Sequence, residues 1–208
     1  CTAVGYNTLA LNQTGANNTA MGSQAMAASV SSSYNVALGN DAMTAQQTGS
    51  ENVAVGNGAM RTANGANDNT AVGFNALFSL SNGANNVGIG YHAGYLLTGE
   101  GNVFMGKNAG AAATSADYTV AIGVNAGGST GTMTGNNNVL IGSSTGDAFT
   151  SGHSSVAVGA GALGTTSSQS YNTAIGYNAG SSCTGGGNTL VGKDAGHGAL
   201  TGDSNTYL

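Results

Sequence analysis

Among the residues that could carry chemistry, Gly142-Ser143-Ser144-Thr145-Gly146 has the G-x-S-x-G spacing of a hydrolase nucleophile turn. In such a turn the central serine, here Ser144, would attack a carbonyl carbon. The same spacing of glycines recurs without the serine in Gly106-Lys107-Asn108-Ala109-Gly110 and in Gly192-Lys193-Asp194-Ala195-Gly196. We therefore interpret these glycines as positions of a structural repeat, and we predict no catalytic residue in the segment.

Two further patterns have the residue types of a cofactor or metal site but not the surroundings. Gly88-Ile89-Gly90-Tyr91-His92-Ala93 imitates a dinucleotide-binding turn, which must open a helix, and no helix-forming segment follows it. His92, His153 and His197 occupy distant repeats and different positions within them, so they cannot converge on a metal. The sequence predicts a protein that is not an enzyme and has no cofactor and no metal site.

The composition argues against two other classes of function. The 208 residues include only three basic ones and carry a formal net charge of −5, whereas nucleic-acid binding requires clustered cations that neutralise phosphates. No apolar run approaches the roughly 18 residues that a membrane-spanning helix needs, so we expect no membrane insertion. The 37 glycines and the 5% of charged residues instead indicate many short strands and tight turns.

The candidate residues are placed by a repeat with the pattern Asn-Thr/Val-Ala-Val/Ile-Gly. We count positions within a repeat from the asparagine, so the glycine is position 5. Each repeat spans about 16–19 residues, mostly 17, and self-similarity at such a regular period is typical of stacked repeat architectures. The period is marked by the position 5 glycines: Gly5, Gly22, Gly39, Gly56, Gly73, Gly90, Gly106, Gly123, Gly142, Gly159, Gly176 and Gly192.

Positions 2 to 4 have the character of a short β-strand. Position 2 is β-branched, and alternation puts positions 2 and 4 on one face and position 3 on the other. We expect position 4 to form the structural core ladder: Val4, Met21, Leu38, Val55, Val72, Ile89, Met105, Ile122, Ile141, Val158, Ile175 and Val191. We expect position 1 to form an Asn ladder: Asn18, Asn35, Asn52, Asn69, Asn86, Asn102, Asn138, Asn172 and Asn188.

These ladders predict an all-β fold, a β-solenoid of the parallel β-roll or β-helix type with about 12 rungs. A helix is disfavoured, because each glycine in a helix interior costs about 1 kcal/mol. Residues 1–208 are expected to be a single continuous repeat array within a longer fibre. Since position 3 is usually alanine, the strand is apolar on both faces, and we expect copies of the same chain to cover one face in a homo-oligomer.

Three repeats resemble the head repeats of trimeric autotransporter adhesins of the YadA type: Asn18-Thr19-Ala20-Met21-Gly22, Asn69-Thr70-Ala71-Val72-Gly73 and Asn172-Thr173-Ala174-Ile175-Gly176. The longer unit Asn172-Thr173-Ala174-Ile175-Gly176-Tyr177-Asn178-Ala179-Gly180, followed by Thr184-Gly185, is similar to the arrays of phage and bacterial tail-fibre proteins. The resemblance covers essentially the whole chain. It implies a left-handed β-roll, a trimer or longer filament, and an extracellular location on a cell surface or a virion fibre.

The first hypothesis for function is a non-enzymatic structural protein that forms an extracellular fibre or fibril shaft. The alternative is an adhesin or receptor-binding segment that recognises glycans or cell surfaces through turn loops and exposed rings, with these candidates: Phe74, Tyr91, Tyr95 and Tyr177. A third hypothesis is an ice-binding solenoid, against which the mixture of valine and threonine at position 2 counts. Asn12 and Asn17 fit the glycosylation sequon.

Overall fold

The computed structural model describes residues 1–128, 132–198 and 200–208. The repeat spacing predicts that the two extra residues of the longest repeat lie in a turn, Gly127-Gly128-Ser129-Thr130-Gly131. Its last three residues lie outside the described part of the chain, so this expectation stays a prediction.

Each repeat contributes one short strand, which begins directly after the position 1 residue and ends at the position 5 glycine. The described residues contain turns, bends, bridges and strands but no helix, so the fold is all-β. In this part of the chain there are thirteen strands: β1 (Thr2–Val4), β2 (Thr19–Met21), β3 (Val36–Leu38), β4 (Val53–Val55), β5 (Thr70–Val72), β6 (Val87–Ile89), β7 (Val103–Met105), β8 (Val120–Ile122), β9 (Val139–Ile141), β10 (Val156–Val158), β11 (Thr173–Ile175), β12 (Thr189–Val191) and β13 (Thr206–Tyr207).

The chain forms two compact units, residues 1–101 with β1 to β6 and residues 102–208 with β7 to β13. Within each unit neighbouring strands pair in parallel and in chain order. Equal positions of the repeat pair, as Ala37 does with Ala54 in the first unit. The register survives the longest repeat, since Val120 pairs with Val139. The predicted fold class, an all-β parallel β-solenoid of about 12 rungs, is therefore confirmed. A second strand expected at Ala25-Met26 and the equivalent residues is wrong, because turns lie there.

The interior of each rung is lined by position 3, where side chains such as Ala54 and Ala157 are fully buried. Because side chains alternate across a strand, position 4 must then face outward. The prediction of a core ladder at position 4 is wrong for the interior of this chain. Its members are half-buried or exposed, with Met21 at 53% exposure: Val4, Met21, Leu38, Val55, Val72, Ile89, Met105, Ile122, Ile141, Val158, Ile175 and Val191.

The second apolar segment of each repeat, at positions 8 and 9, explains this choice of face. Ala59 and Met60 hold these positions in the fourth repeat, and both are fully buried. Positions 9 and 3 meet inside the rung, since a Cβ added at Gly110 would lie 2.7 Å from the ring of Phe104. The interior is thus narrow, and the residues at positions 3 and 9 share it with side chains of neighbouring rungs, as Leu140 does beside Gly127.

Two contrasting pairings of these positions stand out, beside pairs that are small at both positions, such as Ala121 with Gly127 and Ala174 with Gly180. Alanine at position 3 is combined with methionine at position 9 in three repeats of the first unit: Ala20 with Met26, Ala37 with Met43, and Ala54 with Met60. A large residue at position 3 is combined with glycine at position 9 in three repeats of the second unit: Phe104 with Gly110, Leu140 with Gly146, and Leu190 with Gly196. All of the large partners in both sets are fully buried.

The glycine at position 5 ends each strand for a steric reason. Gly56 has a φ of 138°, which side-chain-bearing residues rarely adopt, and a Cβ there would lie 2.3 Å from the carbonyl oxygen of Gly73. Consecutive rungs therefore approach through their backbones at this corner. Only glycine allows that contact, which accounts for its recurrence in the sequence.

Candidate functional site

The Asn ladder fixes the start of the strands and hence the direction of their faces. The fully buried Asn35 donates from Nδ2 to the Gly49 carbonyl at 3.0 Å and from its backbone N–H to Asn18 Oδ1 at 3.0 Å. Each asparagine of this kind closes its own rung and binds the preceding one. The predicted ladder residues are at most 1% exposed: Asn18, Asn35, Asn52, Asn69, Asn86, Asn102, Asn138, Asn172 and Asn188.

In the second unit the ladder changes residue type twice, at Thr119 and Ser155. Their hydroxyl oxygens accept the next backbone N–H at 3.3 Å from Asn138 N and 3.2 Å from Asn172 N. Thr119 Oγ1 itself donates to the nearby Asp117 carbonyl at 3.3 Å. The bond that closes the rung in an asparagine repeat is thus replaced there by a local one.

With the strands fixed in this way, positions 2 and 4 point away from the interior and form what we call the outer face of each unit. Position 2 is threonine or valine in every strand, and position 4 is apolar from β1 to β12. The described strands contain no charged residue. At position 4, Val72 is 36% exposed and Ile175 is 42% exposed in the single chain.

The outer face is a regular apolar surface rather than a scatter of single exposed residues. Strands about 4.8 Å apart and three residues of about 3.3 Å long give each unit a flat footprint on the order of 300 Å². Contiguous apolar patches of a few hundred Å² mark interaction sites on soluble proteins. We therefore take the outer face as the candidate functional site.

Beside the outer face, a group of rings that we call the aromatic ladder occupies two repeats of the first unit. Phe74 stacks on Tyr91 with ring centroids 5.4 Å apart and an interplanar angle of 10°. His92 stacks between Tyr91 and Tyr95, at 4.0 and 4.6 Å, and Phe78 stacks on Tyr95 at 5.0 Å. Rings at equal positions meet because successive rungs lie about 4.8 Å apart.

Three of the predicted ring residues, Phe74, Tyr91 and Tyr95, thus come together in this ladder. Tyr177 lies in the second unit and is 55% exposed. Sequence reasoning did not select Phe78 or His92, although Phe78 and Tyr95 have the same separation along the chain as Phe74 and Tyr91. The rings of the ladder cover one another's faces, which leaves mainly their edges for contacts with a ligand.

Inside the aromatic ladder, His92 is a titratable group whose pKa is shifted. Burial among the rings lowers its pKa below the ordinary value for histidine, because desolvation disfavours the imidazolium. Asn75 Nδ2 lies 3.4 Å from His92 Nε2, a distance at which the amide N–H can donate to a neutral ring nitrogen.

The two candidate glycosylation sites differ in accessibility. Asn12 is half-buried, and its Nδ2 donates to the Gly15 carbonyl at 3.0 Å, so the nitrogen that a glycan would modify is already bound. Asn17 is exposed and lies in the turn before β2, with a φ of 58°. Of the two sequons, Asn17 has the geometry of an accessible acceptor.

A serine and a histidine that the sequence did not single out come together in the second unit. Ser170 Oγ lies 2.8 Å from His153 Nδ1, and His153 Nε2 lies 3.2 Å from Tyr171 Oη. The same serine oxygen accepts the backbone N–H of His153 at 3.1 Å. We interpret the contact as a tie between neighbouring rungs rather than as an activated nucleophile. The suspected Ser144 sits in a turn, with its backbone N–H bound to Val124 at 2.9 Å.

Other chemistry-bearing groups are dispersed. Burial raises the pKa of the Cys183 thiol, which keeps it protonated and poorly nucleophilic. Within residues 1–128, 132–198 and 200–208, no three metal-ligating side chains lie close enough to hold an ion. No helix of a length and hydropathy suited to crossing a bilayer occurs in these same ranges.

The second unit also carries a polar groove of about 400 Å³ over its turns. The groove opens where Gly161 and Gly164 replace the side chains that neighbouring repeats have at positions 7 and 10. Hydroxyl, amide, carboxylate and imidazole groups surround it: Ser144, Asp147, Thr165, Asn178, Ser181, Ser182 and His197.

Comparison with known proteins adds no family to this description. No protein-family model and no curated protein matches the chain. The functional argument therefore rests on the geometry of the outer face, the ladders and the groove.

Proposed function

We propose that the chain is a non-enzymatic structural protein, the shaft segment of an extracellular fibre on a cell surface or a virion. In this proposal copies of the chain assemble as a trimer or a longer filament. The observation that carries it is the in-register stacking of equal positions, because a rod is the architecture in which every rung repeats the contacts of the last.

The use of the side chains supports this proposal. Asparagines, glycines and alanines at fixed positions are occupied in joining one rung to the next, as with Asn35 and Gly56. The residue types that do chemistry are few and scattered between repeats, whereas the uncharged outer face recurs in each of them. A stalk needs this distribution, since its task is length and stiffness.

Electron microscopy of the purified chain in negative stain tests the proposal. We expect long filaments of uniform width, because staggered copies that contact one another through the outer face extend the assembly beyond the length of one chain. A field of compact particles of single-chain size, unchanged as the protein concentration is raised, would contradict it.

A second candidate function, an adhesin or receptor-binding segment, is favoured by the polar groove of the second unit. Sugars are recognised by hydrogen bonds to hydroxyl, amide and carboxylate groups, and the groove offers these together in about 400 Å³. The aromatic ladder supports this role less, since its rings cover one another's faces.

Binding of the labelled chain to an array of glycans tests the second candidate. Ser181→Tyr would fill the groove, and Ser168→Tyr is the matched control on an exposed turn outside it. The adhesin proposal expects Ser181→Tyr to lower binding about tenfold or more, an effect of at least about 1.4 kcal/mol, and the control to leave binding unchanged. It fails if the unaltered chain binds no glycan or if both variants bind equally.

A further inference from the structure

We infer that the outer face of each unit binds copies of this same chain, rung against rung. The inference rests on the proposed shaft function and deepens it by naming the surface and the partner. Three features of the outer face carry it: its charge, its period and its area.

The charge of the chain leaves the outer face as the surface on which two copies can meet without repulsion. The formal net charge is −5, and acidic residues such as Glu51 and Asp68 are exposed in the turns. Like charges placed opposite one another across an interface cost several kcal/mol. Since the described strands hold only uncharged residues, apposition of two outer faces brings no carboxylates together.

The period of the outer face identifies the partner. Its side chains recur at the strand spacing of about 4.8 Å, because neighbouring strands pair position by position. A partner surface with another spacing would drift out of step over the six strands of the first unit. A second copy of this chain has the same spacing, so the Val55 and Val72 side chains of one copy meet a surface with matching grooves.

The area of the outer face sets what a stable assembly requires. One unit contributes a footprint of about 300 Å², so a pair of such faces buries on the order of 600 Å², half of the roughly 1,200 Å² at which stable interfaces begin. We therefore expect the outer faces of both units to be engaged in the assembly. A test has to disrupt both of them.

Paired substitutions make that test. Val72→Glu and Ile175→Glu place a carboxylate in the outer face of each unit, at positions already 36% and 42% exposed in the single chain. Ser81→Glu with Ser168→Glu is the matched control, because it adds the same charge at exposed positions outside the strands β1 to β13. Analytical ultracentrifugation gives the mass of each protein, and circular dichroism verifies that each is folded.

The unaltered chain and the control are expected to sediment as a dimer, trimer or larger species, and the outer-face variant as a single folded chain. Should the glutamates prevent folding, Val72→Thr with Ile175→Thr keeps the β-branched shape and is expected to weaken association about tenfold, since each substitution removes apolar contact area. An outer-face variant that assembles as the control does overturns the inference.

The outcomes also separate this inference from the proposed function. Filaments that persist in the outer-face variant would leave the shaft function standing and remove the outer face as its contact surface. A discrete dimer that loses its partner in the variant, and forms neither a trimer nor a filament, would support the outer face and contradict the shaft. A monomeric unaltered chain contradicts both.

Discussion

Repeats of the two units can fill the rung interior from opposite sides. In the first unit Ala54 on the strand is combined with Met60 on the turn, and both are fully buried. In the second unit Phe104 on the strand is combined with Gly110 on the turn. The volume of the pair at positions 3 and 9 is not constant, because other repeats, such as that of Ala174 and Gly180, are small at both positions and receive side chains from neighbouring rungs.

The choice of residue at position 9 affects the strain in the backbone there. Position 9 has a left-handed φ in both units, 49° at Met60 and 59° at Gly110. Glycine adopts this conformation without steric cost, whereas another residue loses about 1 kcal/mol. The repeat of Met60 therefore accepts strain at the turn to bury a methionine, and the repeat of Phe104 avoids that strain by filling the interior from the strand.

The largest expected effect comes from exchanging one pairing for the other in the seventh repeat. Phe104→Ala should lower the free energy of unfolding by about 3–5 kcal/mol through the cavity that it leaves. Gly110→Met should lower it by about 2–4 kcal/mol, because the side chain meets the Phe104 ring and the backbone is left-handed. The double variant recreates the pairing of the first unit and should lose about 1–3 kcal/mol less than the sum.

Urea unfolding of all four proteins, with hydrogen exchange at β7 as a local readout, measures this coupling. Gly110→Met combined with Leu140→Ala is the control, because Leu140 belongs to a different pair, and its effects should add. If the effects of Phe104→Ala and Gly110→Met also add, the side chains at positions 3 and 9 do not compete for the same space.

The Asn ladder offers a second comparison, since it is unbroken from Asn18 to Asn86 and changes residue type at Thr119. Asn52→Ala would leave the Asn69 backbone N–H buried without its partner and would take from the Ala66 carbonyl one of its two donors, the other being Gln46 Nε2, so we expect a loss of about 2–3 kcal/mol. Thr119→Ala removes two longer bonds, that from Asn138 N and that to the Asp117 carbonyl, and should cost about 1 kcal/mol. Equal losses in denaturant unfolding would refute the idea that the ladder is weaker at Thr119.

Repairing the ladder is the reverse experiment and has a smaller effect. Thr119→Asn would supply an amide that can accept from Asn138 N and donate across the rung, as Asn35 does. We expect a gain in the free energy of unfolding of about 0.5–1.5 kcal/mol, seen as an upward shift of the urea midpoint. A variant less stable than the unaltered chain would show that this corner of the rung has no room for the asparagine.

The smallest effect is expected from the pH dependence of the first unit. The pKa of His92 is lower in the folded chain than in the unfolded one, so the unfolded state binds more protons as the pH falls. Stability contributed by neutral His92 is thus present above the unfolded pKa of about 6.5 and is lost as the pH falls through that value.

Thermal melts at about pH 7.5 and pH 5.5, either side of that pKa, measure the loss. His92→Asn, which tolerates the left-handed φ of 55°, is the control and should show a smaller difference. A melting temperature that rises on acidification in the unaltered chain would show instead that Tyr91 and Tyr95 stabilise the imidazolium.

The period and the strand positions could be predicted from the sequence, because Gly56 and Asn35 have equivalents in nearly every repeat and each has one steric or hydrogen-bonding reason to recur. The face of the strand that turns toward the interior could not be predicted. Valine at position 4 and alanine at position 3 are both apolar, and alternation alone does not say which one turns inward. The choice depends on Met60, whose left-handed turn directs it into the rung, and that conformation is absent from the apolar pattern.

The candidate site was predictable to a similar degree. An apolar strand on both faces already indicates a partner, and the structure assigns the outward side to positions 2 and 4. Phe74 and Tyr91 could be paired because they hold the same position in successive repeats. The part that His92 plays could not be predicted. His92 reaches the rings through a left-handed φ at position 7, where most repeats have asparagine, aspartate, serine or glycine.

The central claim, that this chain is the shaft of a self-assembled fibre, is tested most directly by cryo-electron microscopy of the unaltered protein. The account predicts filaments whose images give a strong layer line at about 4.8 Å, the strand spacing, along the filament axis. Filaments without that layer line, or only separate particles of single-chain size, would contradict it.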